Sequence, residues 1–548
     1  MKELLSGNKV FILYLALSTL YLGVQMFQGL SYLDIGMYMS GYEHIVDDPV
    51  PSVFLGQWLL SFVTSSWVLR LFHADGFMAM RIMYLALTVV LQCVVYSYAK
   101  KYIPKKYIIA GLGLTTLSIY GAYTEINYND YTLFFFLLAI LSYHHGQSHH
   151  WGMLVLSGVL TGIAFYFRIT NLALIVFPWA SWLLNRLCPW GKWSLAQQVI
   201  CFYSGWLIGI VGTYLFIMAI GMGDIMQFTL ANIIQVGGNA DDIHSFKNVL
   251  LCFYQVHKAE IAATSVIALL TLFIYWTFFI RKQLVRLLLL AVLFALVVLC
   301  IYFWEEPSSI TIGICLFGLI AAVRYRLVDA KTLHLFALSF TLPLLAPLGS
   351  NAGAAFACKA TCILSLSIAL YIFARIGHLA TFHTQEHSRA YRQALRLGIV
   401  AIGCAMVYTN INRLMMEDGN RKMCWYHVNS PLTGPIMTTQ ANAQTHNYLI
   451  QQVKPHLPKG SYLISNSSLT AVSLLQCKPY AVYSTIFSSD NMNRRYIDFV
   501  YGHTHQAPYI LDSKNHNAKD LFVIHYLESK HPYKKIWSDG TFTLLAPR

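Results

Sequence analysis

Runs of about twenty apolar residues, each closed by a short polar stretch, recur along most of the chain. A run of that length matches the ~30 Å hydrocarbon core of a bilayer at 1.5 Å of helix rise per residue. The polar stretches alternate in sign. Basic clusters stand at Lys2/Lys9, KKYIPKKY (100–107), Arg186/Lys192 and RKQLVR (281–286), then at Arg324/Arg326/Lys331 and from Arg375 to Arg396. The connections between them are acidic or neutral: 31–52, TEINYND (124–130), the long 221–246 segment, EEPSS (305–309) and LGSNAG (348–353). Two apolar runs separate neighbouring basic clusters, so the positive-inside rule puts basic loops in the cytoplasm and acidic loops outside.

One run tests this threading. VFLGQWLLSFVTSSWVLRLF (53–72) is long enough to span, but spanning would carry every later basic cluster to the outer side. Its Gln57, Ser61, Thr64, Ser65 and Ser66 make it amphipathic, which places it in the outer interface as part of the first external loop. The expected architecture is an all-α polytopic membrane domain over 1–409, with about thirteen transmembrane helices and a cytoplasmic N-terminus. A small extracytoplasmic α/β domain follows over 410–548. In that tail NAQTHNYLIQQV (442–453) has the period of a helix, whereas GSYLIS, PYAVYST, DLFVIHYL and the Asp-Gly-turned KKIWSDGTFTLLA have the composition of strands. No internal repeat is evident.

Composition agrees with a membrane location. Of 548 residues 57% are hydrophobic and only 11% charged, less than half the charge of a soluble domain. The formal charge of +14 points to anionic membrane lipids as partners and, with no soluble basic domain, not to nucleic acid. The eleven cysteines include no CxxC pair, which argues against a zinc or redox motif. Cys424 and Cys477 lie beyond the last span and could pair in an oxidising compartment.

Against that basic background the carboxylates gather at the outer face. SYLDIGMYMSGYEHIVDDP (31–49) holds Asp34, Glu43, Asp47 and Asp48, and YTEINYNDY (123–131) holds Glu125 and Asp130. Carboxylates held there suit general base catalysis or a divalent metal such as Mg or Mn, although the sequence does not require a metal. Helix capping and turn formation are the competing structural readings, strongest for Asp47 and Asp48 beside Pro49. Arg168 and Lys359 interrupt apolar runs near their outer ends, where a lipid phosphate is the natural partner and snorkelling the alternative. Tyr38, Tyr42 and Trp58 suit stacking on sugar faces or an aromatic belt. LGSNAG, with Asn351, is a small-residue loop that lets a substrate approach closely or simply turns the chain. The histidine pairs of SYHHGQSHHW (142–151) fall on the cytoplasmic side and read as a solvated turn.

A long first span, an external loop opening on Asp34 and carrying an interfacial helix, and a second acidic patch after span 3 together resemble the GT-C superfamily. So do the Arg-interrupted span GVLTGIAFYFRITNLALIVFPW (158–179) and an outer C-terminal domain. These polytopic glycosyltransferases, among them protein mannosyltransferases and aminoarabinose transferases, use polyprenyl-phosphate-linked sugars. The resemblance implies an inverting transfer at the outer face, in a bacterial inner membrane, to a lipid, glycan or protein acceptor. Asp34 matches the catalytic base of the family, with Asp130 and Glu43 as further acidic candidates. Arg168, Lys359, Glu125, Tyr38, Tyr42, Trp58 and Asn351 are the candidate substrate contacts. Many members carry paired acids at the first position, whereas Ile35 and Gly36 follow Asp34, so metal dependence stays open. A transporter or flippase of lipid-linked saccharides, and a glycan polymerase or ligase, are the rival functions.

Overall fold

The computed structural model describes residues 2–30, 34–119, 124–148, 150–238, 247–248, 251, 308–346, 348, 361–377, 385–412, 418–466, 468–480, 490–513 and 518–548. Asn351 and Lys359 lie outside the described residues, as do the apolar runs of 252–307 that a count of about thirteen spans requires. Helices α1 (Lys2–Gln25), α4 (Gly76–Ala99), α5 (Lys105–Leu117), α6 (Tyr128–Ser148), α7 (Trp151–Phe167), α8 (Phe177–Leu187) and α9 (Leu195–Ala219) belong to the apolar part. They are joined by α11 (Ser308–Tyr325), α12 (Ala330–Leu345), α13 (Ser365–Ile376) and α14 (Gln385–Asn412). The first external loop adds α2 (Asp34–His44), a 3-10 segment (Val50–Trp58) and α3 (Leu59–Leu71); α10 (Gly223–Gly238) follows α9.

Close packing in the bundle is built on small residues. Gly158 and Gly162 of α7 face Gly205 and Gly209 of α9, and a Cβ on Gly158 would lie 2.0 Å from the Phe202 carbonyl oxygen. Helices that cannot gain from expelling water associate through such backbone approach. Four described stretches are long and apolar enough to cross a membrane: Val50–Leu71, Gly76–Ala99, Leu195–Ala219 and Tyr391–Asn412. The first of them does not run straight. Trp58 leaves helical geometry (φ −127°, ψ 22°) between the 3-10 segment and α3. Arg70, near the end, then pairs through Nη2 with Asp47, just before the start, at 2.6 Å. A straight helix of its 22 residues would hold those ends about 33 Å apart. The segment therefore doubles back to the level at which it began. Its hydroxyls are buried on the inner side, where Ser61 donates to the Phe167 carbonyl (2.9 Å) and Ser65 bonds the Tyr131 hydroxyl (2.9 Å).

The tail is an α/β unit. It contains a small hairpin of β1 (Tyr426–His427) and β2 (Met437–Thr438). Its main sheet has the order β4-β3-β5-β7-β6, with β3 (Tyr462–Ser465), β4 (Lys478–Pro479), β5 (Tyr509–Ser513), β6 (Tyr533–Ser538) and β7 (Phe542–Pro547). β3 pairs parallel with β4 and β5, and β7 antiparallel with β5 and β6. The β6–β7 turn uses Gly540 at φ 97°, while the Asp539 carboxylate accepts the Thr541 and Phe542 amides. The helices are α15 (Gln440–Gln452), α16 (Leu469–Leu474), α17 (Asp490–Thr504) and α18 (Ala518–Lys530). DLFVIHYL is thus helical, contrary to the strand expected from its composition. Val523, Ile524 and Leu527 are its buried positions, a helical spacing that overrides strand propensity. Of PYAVYST only the first residue falls in a strand; 481–489 lie outside the described residues. The central strand β5 carried no such signal.

Candidate functional site

Helix α2 follows α1 and packs on both the bundle and the tail. A Cβ on Gly36 would fall 2.0 Å from the Thr470 amide nitrogen, so only glycine lets α2 lie against α16 of the tail. Asp34 is the first residue of α2, and its side chain lies outside the described residues. Tyr38, one turn later on the same face, meets the Tyr128 ring edge-on at 6.1 Å. Tyr128 opens α6, stacks on Trp58 at 4.6 Å, and lies under the Arg168 guanidinium at 5.6 Å. The face of α2 that begins at position 34 is thereby turned toward the start of α6 and Arg168.

Each of the other candidates has a defined place near this cluster. Asn127 and Asp130 cap α6 reciprocally: Asn127 Oδ1 accepts the Asn129 amide (2.8 Å), and an Asp130 carboxylate oxygen accepts the Asn127 amide (2.9 Å). Arg168 stands where α7 breaks, in extended geometry (φ −162°, ψ 119°). The break is stabilised by Asn171 Nδ2 donating to the Ala164 carbonyl at 2.8 Å. The buried Arg168 donates to Asn129 Oδ1 (3.2 Å), to the Ala346 carbonyl and to the Leu348 carbonyl (3.3 Å). It thus ties the first turn of α6 to the chain that enters LGSNAG. Tyr42 is fully buried, with its hydroxyl on the Ile126 carbonyl (2.7 Å), so it offers no face to a sugar. Tyr38 is buried among the same rings, and Trp58 is half-buried.

Glu125 belongs to a lock. It is buried and pairs with Arg81, which also donates to the carbonyls of Met26, Gln28 (3.2 Å) and Gly29. Those carbonyls lie in the chain that leaves α1 toward Asp34. The tail grips the same chain from its other side. Asp418, buried, accepts the Leu30 amide (2.6 Å), the hydroxyls of Thr438 (2.5 Å) and Thr439 (2.9 Å), and Asn442 Nδ2 (2.5 Å). Gln28 and Met437 form a parallel bridge, and Arg421 Nη2 donates to Gln25 Oε1 at 3.2 Å. Two domains far apart in sequence thus clamp the residues just before Asp34. The sequence reading overlooked Arg81 and Asp418. Arg81 carried a usable signal, an arginine inside an apolar run, but Asp418 stands in a polar stretch that shows no pattern.

Glu43 is about two and a half turns beyond position 34 and so on the opposite side of α2. Burial, with Asp75 nearby, lifts its pKa from 4.5 to about 7, although the Ser473 hydroxyl of the tail pulls the other way. The folded state therefore binds this proton more tightly than the unfolded chain. Its contribution to stability is complete below about pH 4.5 and lost as the pH rises to about 7. Glu43→Gln should flatten the pH dependence of melting over that window and raise the melting temperature at pH 8. An unchanged slope would show that Glu43 does not titrate there.

Cys424 and Cys477 do not pair. Both are buried free thiols, one beside Asp418 and the other beside Ser461, and burial pushes them up to about 12 and about 11. SYHHGQSHHW is no solvated turn at its start. α6 runs on through it, and buried His144 joins the Tyr98 hydroxyl (2.7 Å) to the Lys331 carbonyl (2.9 Å). Among the described residues no three His, Cys, Asp or Glu side chains converge as a metal site. The arrangement is that of a polytopic membrane protein with a small C-terminal sheet domain, whose polar cluster sits where the first loop, α6 and the tail meet.

The chain matches no protein-family model, and no curated protein matches it. Among solved structures, it is similar to the crystal structure of the Archaeoglobus fulgidus oligosaccharyltransferase tethered with an acceptor peptide containing the NVT sequon via a disulfide bond. The likeness covers 98% of this chain and 74% of that one at 10% identity, with a TM-score of 0.42. A likeness that faint assigns no activity.

Proposed function

We propose that this chain is a GT-C-type inverting glycosyltransferase, moving a sugar from a polyprenyl-phosphate donor to an acceptor at the outer face of the membrane. The observation that carries this reading is the Tyr38–Tyr128 contact. It turns the face of α2 that starts at Asp34 toward the capped start of α6 and the Arg168-held entrance to LGSNAG. Two features that the sequence places 90 residues apart thereby border one region. The reading rests on that geometry together with the sequence resemblance.

In the proposed reaction an acceptor hydroxyl oxygen attacks the anomeric carbon while its proton passes to the Asp34 carboxylate. The bond from the anomeric carbon to the phosphate oxygen breaks, and its electron pair leaves with the lipid phosphate. Lys359 supplies the positive charge that meets that phosphate. Arg168 acts as a positioning residue, since its donors hold Ala346 and Leu348. Glu125 and Asp130 serve the scaffold, one paired with Arg81 and the other capping α6. The N-terminus is cytoplasmic in this reading, the 410–548 domain is periplasmic and the membrane is a bacterial inner membrane.

Purified protein given a labelled polyprenyl-phosphate sugar tests the reading. Label should leave the lipid and appear on an acceptor; label that crosses a vesicle still joined to its lipid would identify a flippase instead. Lys359→Met is expected to raise the donor KM roughly 10-fold or more, the loss of one charge-assisted hydrogen bond, and to leave acceptor KM alone. Met keeps the apolar stem, so unaltered donor kinetics would make Lys359 a snorkelling residue.

A further inference from the structure

Helices α1 and α14 both end at one turn of the tail. On α14 the exposed positions Leu397, Val400, Cys404, Tyr408 and Ile411 recur at helical spacing up to its last turn. On α1 Leu13, Leu17, Leu20 and Val24 do the same, and Phe27 just past its end is exposed as well. On helices of this length and composition, such stripes face acyl chains. The turn is a 3-10 segment, Arg421–Met423. It is tied to both helix ends: Arg421 Nη2 donates to Gln25 Oε1 of α1 (3.2 Å), and Lys422 Nζ donates to Asn412 Oδ1 of α14 (3.3 Å).

From this turn the side chains part in two directions. Arg421 and Cys424 are buried and belong to the clamp, with the Cys424 thiol 3.8 Å from the Asp418 carboxylate. Lys422, Met423, Trp425 and Tyr426 face outward, the last three at 54%, 62% and 46% exposure. Trp425 is held in place there, because its indole N–H donates to the Lys422 carbonyl at 2.7 Å. Three large apolar or aromatic side chains exposed side by side call for a partner. Their chemistry names one. Trp and Tyr favour the level where acyl chains meet head groups, and a lysine beside them reaches lipid phosphate. The two lipid-facing stripes lead to the same level.

We infer that Lys422, Met423, Trp425 and Tyr426 form a membrane-docking patch that seats the tail in the lipid head-group layer, at the face where α14 ends. The same six residues carry both contacts, outward to lipid and inward to Gln25 and Asp418. The bilayer therefore helps to hold the clamp on the chain that leads to Asp34. The inference is independent of the glycosyltransferase reading.

Tryptophan quenching on the full-length protein in lipid nanodiscs tests it. The emission of the native chain minus that of Trp425→Phe isolates the indole at 425. Lipid brominated in the upper part of its acyl chains should quench that difference, and aqueous iodide should leave most of it. An emission that bromine does not touch, whether or not iodide reaches it, would overturn the inference and leave the patch to water or to a protein partner. Hydrogen exchange in the same nanodiscs reads the hold on the clamp. Met423→Ser with Trp425→Ser should speed exchange of residues 26–30 roughly fivefold or more, while α18 exchanges as in the native chain. Trp425→Phe alone, which keeps the ring, should restore most of the protection. Bromine quenching with unchanged exchange at 26–30 would keep the docking patch and sever it from the clamp.

Discussion

Asp34→Asn is expected to lower turnover by roughly 10²–10⁴-fold, the usual contribution of a positioned general base. That range corresponds to about 3–5 kcal/mol of barrier. The structural role of the same residue is much smaller. Asp34 opens α2, where a negative charge gains about 0.3–1 kcal/mol from the helix dipole, and Asn serves the helix start nearly as well. The kinetic effect should therefore exceed any effect on melting by several kcal/mol. Turnover and thermal melting measured on one preparation decide it. Near-native turnover would take Asp34 out of the mechanism and send the search for a base back to the α6 cap.

Arg81→Met should be the most destabilising single change. It leaves Glu125 buried with its charge uncompensated and strips a donor from three backbone carbonyls. Breaking a buried pair in this way costs about 3–5 kcal/mol. Adding Glu125→Gln should return part of that loss, because the stranded charge is then gone. Thermal melts of the two single variants and the double variant measure the coupling. A single variant that melts like the native chain would mean that the lock contributes nothing.

The sequence carried the large features well because they are periodic. Apolar length marked helices of the bundle, and the serine-rich stripe of 53–72 set that segment apart from the uniformly apolar runs; the Asp47–Arg70 pair brings its ends together. The site was legible by position more than by role. Tyr38, Trp58, Asp130 and Arg168 do come together, yet Asp130 caps a helix and Arg168 braces a loop. Such roles depend on which backbone groups lie within 3 Å, and pattern does not encode that. Asp418 shows the limit most clearly. Its partners are Leu30 on one side and Thr438, Thr439 and Asn442 on the other, so its importance exists only once both ends of the chain have met. DLFVIHYL failed for the opposite reason: β-branched and aromatic residues outvoted a helical burial pattern that runs only from Val523 to Leu527.

The clamp on residues 26–30 also sets a clock for biosynthesis. Leu30 must wait for Asp418, 388 residues later. At ~5–20 residues per second, the first loop waits roughly 20–80 s before its partner has even been made. Throughout that interval the loop that carries Asp34 has no tail to close on. A ribosome that stalls before the tail therefore leaves a bundle whose first loop is held by Arg81 alone and not by Asp418. The clamp is complete only when the last quarter of the chain has been made.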